Sequence, residues 1–432
     1  MAVFLIGMLD EREPALQLAK NEILARGLDA HLVDISIGNG AILPQLTADV
    51  DNQRVAAAGG ATLDAVRTLL GSDREQVTTI MANGLAALLT EAHADGQVDG
   101  ILAVTGMTGA MICLPALTKL PYGLPKVLIT STAALPAYAA KLARFFGRKD
   151  ITVMHSVVDT VGLNFMVKRL IVNGAAAVCG MAKASMADIA PKPAIAITEF
   201  GFCDTCAHFL RDRLDSEFDV ISFHATGVGE MAALDFVGQG RFEAFIDLVP
   251  AGFSEYLLGG NRALGPDRFD AGLQSGRPYL LAPCGFDMLG CGPIDRRDQQ
   301  DPLWTRRDLA SRQLLIQDAM RVQARTTEEE MQHIARQTAK RLNSAKAPHL
   351  VKFFVPVKGF SSVSIRGGVL YHPVADKAFI ETLRESLSKT IEIITVDSDI
   401  NSPQFAAAIT TVLDKMLNGE RTISQSLPNI DA

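Results

Sequence analysis

The chain alternates short runs of continuously apolar residues with longer stretches of helical periodicity, and this alternation limits its folds more than any other feature. In the first half the apolar runs are 3–8, 31–35, 101–105, 126–131 and 151–156, with helical stretches such as 13–26 and 74–94 between them. Apolar residues fill successive positions, not every second one, so both faces of these strands must be covered. Strand, helix and strand in series demand parallel pairing with right-handed crossovers. After the prolines of 189–193 (IAPKP), read as a linker, the alternation restarts. Strands are expected at 194–199, 220–224, 244–248, 279–282, 314–317, 350–355 and 392–396, and helices at 204–215, 327–343, 375–389 and 402–418. The expected fold is α/β: two Rossmann-like doubly wound domains with mainly parallel sheets. They cover 1–188 and 189–420, and 421–432 is expected to be a flexible tail.

Composition agrees. Of 432 residues 48% are apolar and 21% charged, enough to fill two ordinary cores. A net charge of −7 argues against a protein built to neutralise phosphate backbones, so no nucleic-acid partner is expected. The opening MAVFLIGMLDEREP has no basic region before its apolar run and no small-residue cleavage site after it. It reads as a first buried strand, not a signal peptide. No stretch approaches the roughly 20 apolar residues that span a bilayer, so no membrane partner and a cytoplasmic location are expected. The charged stretch 295–307 holds the only tryptophan, Trp304, and reads as a surface excursion, with a mobile lid or subunit contact as the alternative.

Open parallel sheets collect ligands beyond the carboxyl ends of their strands. In the first half those positions hold Asp10, Asp34, the turn Thr105-Gly106-Met107-Thr108-Gly109, Ser131 and Asp159. Gly106 and Gly109 open a helix whose first N–H groups can hold phosphate or carboxylate. The turn has no Walker lysine. Asp34, at a second strand end, stands where a carboxylate often holds a ribose hydroxyl. In the second half Thr226, Gly227 and Gly229 form another turn at a helix start, and Cys284 and Gly285 follow a later strand. Asp159, His224, Glu255, Asp287 and Arg325 are the acid–base candidates, because each falls at a strand end. Cys203-x-x-Cys206 has the spacing of a redox pair or half a zinc site, with Cys284 as a third thiol. The remaining spacings fit no standard metal set, so inert thiols and no metal are expected. No Ser-His-Asp order, HExxH helix or EF-hand loop appears, and the sequence identifies no reaction.

The order of these segments resembles the Tm-1-like ATP-binding family (UPF0261) over roughly residues 3–417. The resemblance is carried by GMLDER at 7–12, GMTGAM at 106–111, LPYGLPKVLITSTA at 120–133, DITVMHSVVDTVGLN at 150–164, FHATGVGEMA at 223–232 and GPDRFDAGLQSGRPYLLAPCGFDM at 265–288. It implies two Rossmann-like halves, binding of ATP or another nucleotide, and a homodimer. It implies no known reaction. A small anionic ligand is therefore expected in a cleft between the two domains. Met107 and Asp204 fit a polyphosphate poorly, and the alternative is an enzyme acting on a small carboxylated or phosphorylated metabolite in the same cleft.

Overall fold

The five apolar runs of the first half become β1 (Ala2–Gly7), β2 (Asp29–Asp34), β3 (Gly100–Thr105), β4 (Lys126–Thr130) and β5 (Thr152–His155). They form one sheet in the order β2-β1-β3-β4-β5, parallel throughout. Alternate side chains leave by opposite faces, and both faces are covered. Leu5, Leu102, Val104 and Ile129 pack with Leu16, Ile23, Ile171 and Val178 of the helices Leu9–Ala25 and Phe165–Lys183. Phe4, Ile6, Ile101 and Leu128 pack on the other face with Met81, Leu85, Ile112 and Leu114 of the helices Arg74–Ala94 and Met107–Leu117. Each such buried side chain contributes about 1.5–3 kcal/mol.

In this computed structural model, which describes residues 1–38, 40–136, 139–184 and 192–426, the chain divides into two units, Met1–Ile189 and Ala190–Ala432. Most of the expected linker at 189–193 lies outside the described residues, as do positions 427–432 of the expected tail. The last helix, Pro403–Ser426, runs past residue 418.

The second unit contains β6 (Ala194–Glu199), β7 (Asp219–His224), β8 (Ala244–Asp247), β9 (Tyr279–Leu281), β10 (Met288–Gly292), β11 (Leu314–Ile316), β12 (Val322–Arg325), β13 (Val351–Pro356) and β14 (Glu392–Val396). Six of these make a parallel sheet in the order β14-β13-β9-β8-β6-β7. Counted along their own chain segments, both parallel sheets run second, first, third, fourth, fifth. The second sheet adds a sixth strand. The strand order therefore reverses between β1 and β3 in one unit and between β6 and β8 in the other. Such switch points open a crevice at the carboxyl edge of the sheet.

The remaining strands form a separate antiparallel sheet, β10-β12-β11. The sequence reading placed 314–317 in the main series and did not foresee β10 or β12. β10 reads MLGCG, poor in strand formers, and its pairing shifts register between Gly290 and Gly292. β12 is four residues long, VQAR, buried despite two polar side chains. The charged stretch 295–307 holds the short helix Pro302–Arg306 and is anchored by Trp304. This side chain is buried and donates from Nε1 to the Cys291 carbonyl at 3.1 Å.

Contrary to the sequence reading, one described helix, Phe165–Lys183, is long and apolar enough to cross a membrane by length and composition. Its buried positions, Val167, Ile171, Gly174, Ala175, Val178 and Cys179, lie on one stripe. That spacing is the signature of a helix laid on a sheet. Gly174 lets the helix lie close to the sheet, because a Cβ at this position would come within 2.6 Å of the tip of the Ile129 side chain.

Candidate functional site

At the carboxyl edge of the first sheet the chain leaves β1 and enters a helix within two residues. The helix loses its geometry at Arg12 (φ −130°, ψ 19°), two positions before Pro14. The proline ring clashes with the carbonyl of residue i−4 and so breaks the first turn. The break carries the Arg12 side chain across the switch point to Gly106, which begins the helix after β3. A Cβ on Gly106 would lie 2.5 Å from Arg12 Nη2. Arg12 is only 4% exposed. Its Nε donates to Thr160 Oγ1 at 2.7 Å, its Nη1 to Glu11, and its Nη2 to Asp159 Oδ1 at 3.4 Å. A guanidinium has five N–H donors. Three are used, and each terminal nitrogen keeps one.

Three buried side-chain oxygens of this edge have no hydrogen-bond partner among the described residues: Asp10 Oδ1, Thr105 Oγ1 and Thr132 Oγ1. They follow or end β1, β3 and β4, three adjacent strands. An unsatisfied buried polar group costs about 1–3 kcal/mol, so three on one edge call for a physical reason. No side chain caps the helix Met107–Leu117 at Gly106. Thr108 and Gly109 lie in its first turn. Gly109 lets that turn close on Thr105, since a Cβ there would sit 3.0 Å from the Thr105 side chain. Ser131 is half-buried at the start of the next turn. The loop after β5 is strained: Val157 has φ 62° and is exposed, a conformation that β-branched residues avoid.

The expected ribose-binding carboxylate is engaged elsewhere. Asp34 Oδ1 accepts from Leu9 N at 3.1 Å, Ser36 N at 2.9 Å and Ser36 Oγ at 2.5 Å. Burial raises its pKa, against the pull of these donors. Asp10 Oδ2 accepts from Gly40 N at 3.0 Å.

In the second unit the turn after β7 already holds an anion of its own. Gly227 adopts φ 90° and its N–H donates to Glu230 Oε2 at 3.2 Å. Glu230 Oε1 accepts from Gly252 N at 3.0 Å and from Arg268 Nε at 2.8 Å. Arg268 also reaches Asp247 through Nη1 and Nη2, both at 2.9 Å, and Asp247 accepts from Tyr279 Oη at 2.8 Å and Thr198 Oγ1 at 2.6 Å. Burial opposes the Arg268 charge, but Asp247 and Glu230 outweigh it and hold the guanidinium ionised. Burial raises the Glu230 carboxyl and the Tyr279 phenol. Gly229 is required because a Cβ there would lie 2.1 Å from the His224 carbonyl oxygen.

The acid–base candidates do not share one role. Asp159 belongs to the first unit, where it holds Arg12. Buried Glu255 accepts from Arg262 Nε at 2.9 Å and Gly290 N at 2.8 Å. Asp287 accepts from Gly285 N at 3.0 Å and Ser361 Oγ at 2.5 Å. Arg325 donates to the Asp287 carbonyl at 2.8 Å and to Asp376 Oδ1 at 2.5 Å. These three spend their charge on holding the fold. Cys203, Cys206 and Cys284 are all fully buried. Burial pushes the Cys206 and Cys284 thiols well above their ordinary range, and Cys203 beside each adds to the rise. Among the described residues no three His, Cys, Asp or Glu side chains form a metal-holding group.

His224 and Thr226 are exposed, with His224 Nδ1 3.1 Å from Thr226 Oγ1. Both line a cavity of 470 Å³ at the carboxyl ends of β6 and β7. Phe200 and Phe202 form part of its wall, Asn261 and Arg262 another part, and Gln317, Arg321 and Gln323 come from the antiparallel sheet and its β11–β12 turn. The sequence reading missed Arg12, Thr132, Thr160, Glu230, Arg262 and Arg268. The break before Pro14 is the one local signal that could have marked Arg12.

Comparison with known proteins places the chain. Residues 1–187 match the N-terminal domain, and residues 192–417 the C-terminal domain, of the uncharacterised protein family UPF0261. A UPF0261 protein of Clostridium tetani is 28% identical over 96% of this chain and 98% of its own length. A UPF0261 protein of Rhizobium meliloti is 28% identical over 94% and 96%. The ToMV susceptible protein tm-1(GCR26) of Solanum lycopersicum is also 28% identical, over 78% of this chain and 44% of its own length. With both halves matched in order, the chain belongs to the UPF0261 family.

Proposed function

We propose that the first unit binds a nucleotide, with ATP as the leading candidate, at the switch point between β1 and β3. The observation that carries this reading is the buried Arg12 guanidinium lying against the glycine start of a helix, with Asp10 Oδ1, Thr105 Oγ1 and Thr132 Oγ1 unsatisfied along the same edge. A phosphate group at the helix start would meet the uncapped N–H groups and the spare N–H donors of Arg12. It would accept from the two threonine hydroxyls. The family resemblance supports the same ligand class, and the proposal retains the homodimer that it implies and the cytoplasmic location read from the sequence. Calorimetric titration of the full chain with ATP, ADP and AMP tests the reading. Saturable heat that Arg12→Ala abolishes is expected. Absence of heat and of any thermal shift at about millimolar nucleotide removes it.

A further inference from the structure

The cavity of the second unit has the properties of a separate ligand site. Its 470 Å³ falls within the range of small-molecule pockets. It stands at the carboxyl edge of a doubly wound sheet, beside the strand β6 that flanks the switch point. Its lining contains no acidic residue and includes Arg262, Arg321 and His224.

Arg262 is held as a fixed donor. Buried Glu255 accepts from its Nε at 2.9 Å and its Nη2 at 2.5 Å, and Nη2 also donates to Gln323 Oε1 at 3.2 Å. The guanidinium lies over the Phe200 ring, 5.6 Å from its centroid. With Nε and Nη2 engaged, Nη1 keeps its N–H groups for a ligand. Phe202 meets Phe200 edge-on at 5.0 Å, with the two rings perpendicular, so the wall beside this donor is aromatic and apolar. A planar body on the phenylalanines and an acceptor at Arg262 are therefore recognised together.

The charge balance selects the anion. Glu255 already offsets Arg262, and Asp318 pairs with Arg321 through Nε and Nη2, so the lining offers directed N–H donors with little net positive charge, which disfavours a dianion. The backbone cradle that would hold a phosphate nearby, at Gly227, is filled by Glu230. The nearby His224 has Nδ1 engaged with Thr226 Oγ1 at 3.1 Å, and its ring is exposed at the cavity.

We propose that this cavity binds a small monoanionic carboxylate carrying a planar, ring-sized apolar group, independently of the nucleotide site of the first unit. The test is titration of the full chain with benzoate, benzamide and phenyl phosphate, followed by ligand-observed NMR and calorimetry. Benzoate is expected to bind at least about tenfold tighter than benzamide and no more weakly than phenyl phosphate. Phe202→Ala and Arg321→Ala alter exposed or half-buried side chains and should each weaken benzoate about fivefold without changing ATP binding. Arg262→Gln should abolish benzoate binding. Because that change strands buried Glu255, the first two variants keep the test valid if it unfolds. Equal affinity for benzamide, tighter binding of phenyl phosphate, unchanged benzoate binding in both milder variants, or no binding of any probe at about 10 mM would each overturn the proposal.

Discussion

Arg12 Nη2 occupies the space into which a side chain at position 106 would grow, only 2.5 Å from where its Cβ would stand. The contact joins the first turn after β1 to the first turn after β3, across the reversal of strand order. Gly106→Ala should push the guanidinium out of place at little cost to the fold, because the atom it meets ends a flexible side chain. A loss of no more than about 1 kcal/mol in denaturant unfolding is expected, together with at least about a tenfold loss of ATP affinity by calorimetry. Unchanged affinity would reduce Arg12 to a structural arginine.

Arg268 lies between Asp247 and Glu230 with all three side chains wholly buried. Arg268→Met leaves two carboxylates facing one another without a counter-charge. Removing one partner from such a cluster costs about 3–5 kcal/mol. Urea unfolding of the variant should show a loss of that order, and a loss under about 1 kcal/mol would contradict the account of the cluster.

Asp376 gives stability a pH dependence of defined sign. Burial raises its carboxyl to about 6, outweighing Arg325 beside it, and Asp287 pushes the same way. In the unfolded chain it titrates near about 3.9. Between these values the folded chain holds the extra proton, so this group's contribution to stability falls as pH rises from about 4 to about 6. Relative to the natural chain, Asp376→Asn should therefore gain about 2–3 kcal/mol on going from pH about 4 to pH about 7. Parallel thermal-unfolding curves for the two proteins across that window would show the assignment to be mistaken.

All six cysteines are free and buried. Burial pushes Cys113 and Cys291 up to about 12 and Cys206 and Cys284 well above their usual range. The thiolate is the reactive form. A colorimetric thiol reagent at neutral pH should therefore label less than about one cysteine per native chain over minutes. It should label all six after unfolding in guanidinium. Rapid labelling of two native thiols would revive the redox reading of Cys203 and Cys206.

Much of the architecture was legible because it depends on local pattern. An unbroken apolar run such as 101–104 in β3 can satisfy its two covered faces only inside a parallel sheet, and the turns that follow are fixed by where the run stops. Thr105, Gly106 and Asp10 were found in that way. Arg12 was not, because its partners Asp159 and Thr160 stand nearly 150 residues away and a charged residue in a first helical turn ordinarily faces solvent. Glu230 was not singled out either, because only the fold turns it back onto the amides of the glycine turn before it. Strand β10 escaped because its glycines serve a neighbour's geometry: a Cβ at Gly290 would strike the Asn261 side chain at 2.1 Å.

The arrangement at Glu230 has a consequence for occupancy. A dissolved anion seeking the amides of Gly227 and Gly252 competes with a carboxylate tethered three residues along the same helix, which is already seated there and incurs no cost of association. The fold thus supplies that turn with its own acid, and a ligand of the second unit has to be held elsewhere.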